Sequence, residues 1–217
     1  MLNHPRNMRT YEEEQQNFNW EISCKELGYK DGDVINIGEY CTDRICRMGM
    51  ADKLALIWEG HAGEEKRYTF NDMRQLTNTI ADFIRKLGLE PGERVCLFMD
   101  KVPELYFGFL GILKTGSIAQ PLYSAFGSES LLTRLEDAKT SAIMTQKKHL
   151  PKIRNILKDL PFLKHIIVVD DDGIKPLRER EVAFHMDEAE RVDSFDVYQS
   201  KAETHSVLHY NSGTFAT

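Results

Sequence analysis

The segment HYNSGTFAT, residues 209–217, carries residue types that could bind phosphate. Ser212 and Thr214 offer hydroxyl donors on either side of Gly213, whose missing side chain lets backbone N–H groups approach an anion. An apolar run at residues 207–210 comes directly before it, and a strand that leads into a small-residue loop is a common place for a phosphate site. A Ser-Gly-Thr triplet is also an ordinary turn, so the segment needs support from other residues.

Two other polar groups could bind metal ions, but their spacing is unfavourable. His205 and His209 would share an ion on a helix, whereas Val207 favours a strand, in which positions four apart are roughly 13 Å distant. The run DDDG at residues 170–173 has the composition of a calcium loop, but Val168 would then occupy the first ligand position, and valine has no carboxylate. We therefore predict no metal site.

Composition and charge exclude several classes of protein. The 217 residues include 34 acidic and 28 basic ones, a net charge of −6, which gives no reason to expect a nucleic acid or an anionic membrane as partner. The longest apolar stretch, residues 105–113, is less than half of the roughly 20 residues that a spanning helix needs. The polar N-terminus fits neither a secretory signal nor a transit peptide, so we expect a cytoplasmic location. The cysteine spacing predicts free thiols at Cys24, Cys41, Cys46 and Cys96.

Regularly spaced apolar runs indicate the elements that position these residues. Four short apolar runs begin at Val95, Ile118, Ala142 and Ile166. Apolar and polar residues do not alternate in them, which is typical of strands covered on both faces. Helical patterns fill the gaps, at residues 104–114, 128–138 and 147–160, and another helix precedes the first strand, from Asn71 or Asp72 to Leu87. This order predicts an α/β fold with a doubly wound, mainly parallel sheet and flanking helices.

The flanking parts of the chain are less regular. Residues 1–32 are predicted to be a peripheral arm, and residues 33–217 one domain. RYTF at residues 67–70 predicts a short strand, and residues 207–210 predict a last strand. Between them, a charged RERE run at residues 178–181 is followed by a helix expected to extend to about Glu190. The basic stretch of Lys147, Lys148, Lys152, Arg154 and Lys158 could meet the phosphates of a nucleotide or of coenzyme A, but we expect a solvated helix face.

Four segments make the sequence recognisable. In order they are NIGEYCTDR (36–44), RYTFNDM (67–73), VPELYFGFLGILKTGSIAQPL (102–122) and HYNSGT (209–214). The first is similar to the Asn-x-x-x-x-x-x-Asp-Arg stretch of acetyl-CoA synthetases, and LKTGSIAQPL in the third is fairly specific. From about Asn36 to Thr214 the chain therefore resembles the N-terminal part of the AMP-forming acetyl-CoA and acyl-CoA synthetases, members of the adenylate-forming superfamily.

This resemblance implies a ligase that uses ATP, magnesium and coenzyme A. A small carboxylate attacks the α-phosphorus of ATP to give an acyl-adenylate and pyrophosphate, and the thiol of coenzyme A then displaces AMP. Magnesium, a lysine and a loop of donors stabilise the leaving polyphosphate. By the same resemblance, Ser212, Gly213 and Thr214 are a remnant of the ATP phosphate loop. Acetate is the favoured substrate because residues 36–44 look most like the acetyl-CoA synthetases.

The sequence also departs from the family pattern, which is approximately Tyr-Thr-Ser-Gly-Thr-Thr-Gly-x-Pro-Lys-Gly. Asn211 replaces a threonine, Phe215 replaces another, Ala216 replaces a glycine that can adopt positive φ, and the lysine is absent from the 217 residues. We therefore expect a truncated enzyme that has no catalytic residue of its own, binds none of these cofactors and lacks ligase activity. Two alternatives stay open: a non-catalytic binding or self-associating module, and a remnant with residual affinity for ATP.

Overall fold

The computed structural model describes residues 10–30, 32–174 and 176–211. Its centre is a five-stranded parallel sheet with the order β4-β3-β5-β6-β7. The strands are β3 (Arg94–Phe98), β4 (Ile118–Pro121), β5 (Ala142–Thr145), β6 (His165–Val168) and β7 (Glu181–Ala183). The predicted α/β fold with a doubly wound parallel sheet is confirmed.

Helices cover both faces of the sheet. α5 (Phe70–Lys86) and α6 (Pro103–Lys114) pack on one face, while α7 (Ser128–Ala138) and α8 (Leu150–Arg154) pack on the other. Along β3, Val95 and Leu97 belong to the first apolar layer and Cys96 and Phe98 to the second, all without exposed surface. Because both faces are buried, the strand has an unbroken apolar sequence.

Local sequence explains where the long helices begin and end. Thr69, not Asn71 or Asp72 as predicted, precedes α5: its hydroxyl accepts from the backbone N–H of Asp72, and the Asp72 carboxylate accepts from the N–H of Thr69. α6 begins at Pro103, whose missing N–H costs nothing in a first turn. After α6 the chain turns at Gly116, which has a φ of +79° and lies directly under the Tyr198 ring.

An antiparallel hairpin and several short helices precede the sheet. β1 (Leu54–Glu59), which the sequence analysis missed, pairs with β2 (Glu65–Thr69). The Trp58 Nε1 donates to the carbonyl of Lys101 at 2.7 Å, which attaches the hairpin to the loop after β3. α3 (Ile37–Tyr40) and α4 (Asp43–Ile45) run into a further helical turn at Cys46–Met50.

The start of the described chain forms α1 (Tyr11–Asn17) and α2 (Trp20–Leu27), and neither helix has a buried residue. Thr10 and Glu13 form a capping box for α1, and Gly28, with a φ of +67°, ends α2. The boundary of the arm at residue 32 stays a prediction. Within the described residues no helix is long and apolar enough to cross a bilayer.

Three predicted elements differ from the structure. Residues 147–160 form three short helical pieces, Lys147–His149, α8 and Leu157–Asp159, in place of one helix, and Pro151 stands in the first turn of α8. The helix predicted up to Glu190 is wrong: β7 occupies its start, where the buried Glu181 carboxylate accepts two 2.7 Å bonds from Arg154. The strand predicted at residues 207–210 is a single parallel bridge between Val207 and Ala119.

Candidate functional site

A cavity of about 550 Å³ opens at the carboxyl ends of β3 and β4. Its walls include Asp100 after β3, Tyr123, Ser124 and Phe126 after β4, and His209 and Tyr210 from the last described segment. β4 and β5 lie on opposite sides of β3, so the strand order reverses beside this cavity. Ligands of open parallel sheets bind in such crevices, outside the carboxyl ends of the strands.

Asp100 joins the segments that follow three strands. Its backbone N–H donates to the Gln146 side chain at 2.9 Å, and its carboxylate pairs with the Lys148 ammonium and with His149 Nε2, the latter at 3.1 Å. The hydrogen bonds from Lys148 and then Ser124 lower the pKa of Asp100 to about 2. Asp100 therefore stays ionised, and Lys148 balances its charge at the mouth of the cavity.

The basic stretch after β5 is solvated as predicted at Lys148 and Lys158, which are exposed, but most of its side chains also bond to neighbouring loops. Lys147 pairs with Asp171 and Asp172 beyond β6, and Lys148 pairs with Asp100. Lys152 donates to the carbonyl of Ser124 at 2.8 Å. Burial alone would raise the pKa of Glu181, but the hydrogen bonds from Arg154 and from the backbone of Arg178 hold it below its usual value. Of these contacts, those of Lys148 and Lys152 reach Asp100 and Ser124 and so fasten two loops that line the cavity.

Tyr210 connects the last described segment to α7. Its hydroxyl donates to the Asp137 carboxylate at 2.6 Å and lies 3.2 Å from the carbonyl of Arg134. Burial, and then the bond to Asp137, raise the pKa of Tyr210 to about 12, so its hydroxyl remains a donor at neutral pH. Ser212, Gly213 and Thr214, the predicted phosphate-binding residues, lie outside the described residues.

The NIGEYCTDR segment is built into the core. The Asn36 amide donates to the carbonyls of Leu113 at 2.8 Å and Tyr198 at 3.2 Å. Asp43 lies 2.5 Å from the ammonium of Lys114, which is fully buried at the end of α6. Desolvation lowers the pKa of Lys114, and Asp43 counteracts that loss. In this structure Asn36 and Asp43 therefore attach α3 and α4 to α6.

Acidic, histidine and cysteine side chains are scattered over the described part of the chain. The described residues contain no group of three or more His, Cys, Asp and Glu side chains suitably placed for a metal ion. Around the cavity, the Asp100 carboxylate is the acidic group and is already bonded to Lys148 and His149. These residues are therefore not a preformed magnesium site.

Comparison with known proteins identifies the family. Residues 43–216 match the family described as AMP-binding enzyme. The chain belongs to this family. It is 31% identical over 214 residues to the acetyl-coenzyme A synthetase of Bacillus subtilis (strain 168), an alignment that covers 97% of this chain and 36% of that protein.

Solved structures agree on the fold. The acyl-CoA synthetase of Brucella canis superimposes with a TM-score of 0.79 at 21% identity, covering 96% of this chain and 37% of that one. The anthranilate CoA ligase AuaEII, solved with anthranoyl-AMP, gives a TM-score of 0.71 at 24% identity, covering 83% and 33%. The chain thus spans about a third of the length of the proteins it matches.

Proposed function

We propose that this chain forms the N-terminal part of an acetate or short-chain acyl-CoA ligase, which activates a carboxylate with ATP and transfers the acyl group to coenzyme A. The observation that carries the proposal is the cavity at the reversal point of the sheet, with Tyr210 in its wall, in a chain that matches the AMP-binding family over residues 43–216. The 31% identity with an acetyl-coenzyme A synthetase supports acetate as the first carboxylate to test.

Within this proposal each part of the chain has a separate task. Ser212, Gly213 and Thr214 would donate hydrogen bonds to the phosphates of ATP, beside the edge of the sheet where Tyr210 lies. Magnesium, when bound, would neutralise charge on the leaving pyrophosphate. The parallel sheet and its paired loops, fastened through Asp100, would hold that segment at a fixed position.

We further propose that the 217 residues alone do not catalyse the ligase reaction. Phe215 places a ring where the family has a hydroxyl donor, and Ala216 opposes the positive φ that the family glycine adopts. The loop lysine is absent from these residues, and the chain covers 36% of the B. subtilis relative. Catalysis by the proposed route needs groups that the 217 residues do not supply.

Pyrophosphate release from acetate and Mg-ATP tests both proposals. The 217-residue chain should release none. A hybrid, in which residues 1–211 are followed by the remaining part of the B. subtilis relative, should release pyrophosphate with acetate. A second hybrid that keeps Phe215 and Ala216 should be slower, because it lacks the donor and the glycine. Turnover by the 217-residue chain would contradict the inactivity proposal, and a folded but inactive first hybrid would contradict the ligase proposal.

One observation favours a second candidate, a self-associating module. An apolar groove of about 450 Å³ lies between the β1–β2 hairpin and α6, lined by Leu56, Leu105, Tyr106, Phe109 and Leu110 among others. Exposed apolar surface of this kind is typical of interaction sites. This candidate predicts that light scattering gives a mass that rises with concentration and that Phe109→Ser suppresses the rise. A constant monomer mass for the unmodified chain would reject it.

A further inference from the structure

The segment before the proposed phosphate loop, residues 206–211, is attached to the rest of the protein at two places. The first place is β4 of the sheet. There the N–H of Ala119 donates to the carbonyl of Ser206, and the N–H of Leu208 donates to the carbonyl of Ala119, both at 2.9 Å. Two residues further on, Tyr210 turns to α7 and bonds to Asp137. The bonds to Ala119 fix the segment beside β4, and the bond of Tyr210 to Asp137 fixes its direction as it passes the cavity.

Arg134 supplies a second contact between α7 and Tyr210. Its guanidinium carbon lies 5.8 Å from the centre of the Tyr210 ring and 4.3 Å from the centre of the Phe126 ring. Both rings line the cavity, so the cation bridges two of its walls. Such cation–π contacts fix the orientation of a ring as well as adding attraction.

The arginine is itself fastened to its surroundings. One terminal nitrogen donates to the carbonyl of Ser130 one turn earlier on α7, at 2.8 Å. The Arg134 carbonyl accepts from the Gln120 side chain on β4 at 3.2 Å and lies at the same distance from the Tyr210 hydroxyl oxygen, whose proton goes to Asp137. Arg134 Nε is buried and has no hydrogen-bond partner among the described residues. The arrangement joins α7, β4 and the segment at one point.

We propose that Tyr210, Asp137 and Arg134 form a clamp that positions the phosphate-binding segment relative to the sheet. This inference rests on the proposed ligase function, and the three are positioning residues because they act through the segment and not on the substrate. Backbone donors bind a polyphosphate well only when they are held close to the productive geometry. Release of the clamp should therefore weaken the use of ATP and leave the use of the carboxylate unchanged.

The first test needs no catalysis. In the 217-residue chain, Tyr210→Phe and Asp137→Ala should accelerate amide hydrogen exchange at residues 206–211 and leave the urea unfolding midpoint nearly unchanged. Asp137→Glu keeps the acceptor and should restore part of the protection. Glu136→Gln removes the neighbouring exposed charge on α7 and serves as the matched control. Exchange at the wild-type rate in both Tyr210→Phe and Asp137→Ala would overturn the clamp.

The second test uses the hybrid of residues 1–211 with the B. subtilis relative. Tyr210→Phe should raise the KM for ATP about tenfold and leave the KM for acetate and the amount of folded protein unchanged. Equal rises in both KM values would indicate general damage and overturn the positioning role. An unmodified hybrid that folds but releases no pyrophosphate would reject the ligase proposal, whereas the exchange experiment on the 217-residue chain would still decide the clamp.

Discussion

The ammonium of Lys114 lies 2.5 Å from the carboxylate of Asp43 and 2.6 Å from the Asn78 side-chain oxygen. Lys114 is the last residue of α6 and belongs to the LKTGSIAQPL segment, whereas Asp43 belongs to the NIGEYCTDR segment. Two sequence features that are 71 residues apart therefore meet as one buried ion pair (114 − 43 = 71). Because a buried cation is costly without its counterion, this pair makes the two segments depend on each other.

Asp43→Asn should destabilise the protein by about 3 kcal/mol, because it leaves Lys114 buried without its counterion. Urea unfolding measures the loss. Asp43→Asn combined with Lys114→Met should recover much of it, since no buried charge remains. The control is Asp82→Asn, which breaks the exposed pair with Lys86 and should hardly move the midpoint. Equal losses for Asp43→Asn and Asp82→Asn would contradict the importance of the buried pair.

Gly38→Ala should destabilise the fold by about 1 to 3 kcal/mol, the usual cost of overpacking. A Cβ at residue 38 would lie 2.4 Å from the backbone carbonyl oxygen of Leu110, which cannot move without displacing α6. Gly127→Ala is the matched control, because a Cβ there meets nothing within 4 Å. Thermal unfolding of the two variants should differ clearly, and similar midpoints would show that α3 can shift away from α6 at little cost.

The pKa of Asp100 is lowered to about 2, so the stabilisation from its pairing with Lys148 is lost when the pH falls and not when it rises above neutral. An unfolded aspartate has a pKa of about 3.9, so the contribution of Asp100 to stability is complete above that pH and is lost as the pH falls toward the folded value. The difference in urea midpoint between the wild type and Asp100→Asn should therefore narrow as the pH is lowered from about 5 to about 3. A difference that stays constant over this interval would contradict the assignment.

Cys96 should resist thiol reagents until the protein unfolds. Its side chain is completely buried in β3, and desolvation raises the pKa of its thiol well above the usual range. Cys41 is exposed on the surface and should be labelled in the folded protein. Mass spectrometry after brief treatment with iodoacetamide should find label on Cys41 and none on Cys96, and urea should make both reactive. Early labelling of Cys96 would show that the sheet opens locally.

The strands of the sheet could be predicted because burial on both faces leaves an unbroken apolar sequence, as at β3. β7 could not, because Glu181 and Val182 form a strand only by pairing with β6 and by meeting Arg154. β1 was missed for a similar reason: it pairs with β2 and has exposed apolar residues such as Ile57. Isolated propensity does not contain these long-range partners.

The candidate site was only partly predictable. The position of Tyr210 at the edge of the sheet followed from the strand-like run before it, although one bridge at Val207 replaces the expected strand. The contacts of Tyr210 with Asp137 and of Asp100 with Lys148 join residues more than 40 positions apart, so no local pattern encodes them. A family resemblance identified the NIGEYCTDR segment, but the role of Asn36 and Asp43 in holding α6 became apparent only from their distances.

The hydrogen bonds of Asn36 have a consequence for biosynthesis. Neighbouring strands of the parallel sheet are short distances apart in sequence, so they can pair soon after each leaves the ribosome. Asn36 instead needs the carbonyl of Tyr198, made 162 residues later, and the backbone N–H of Ile35 needs the carbonyl of Ser200. The N-terminal segment can bond to Leu113 earlier, but its contacts with Tyr198 and Ser200 must wait until residue 200 has been made, so its attachment is completed late in synthesis.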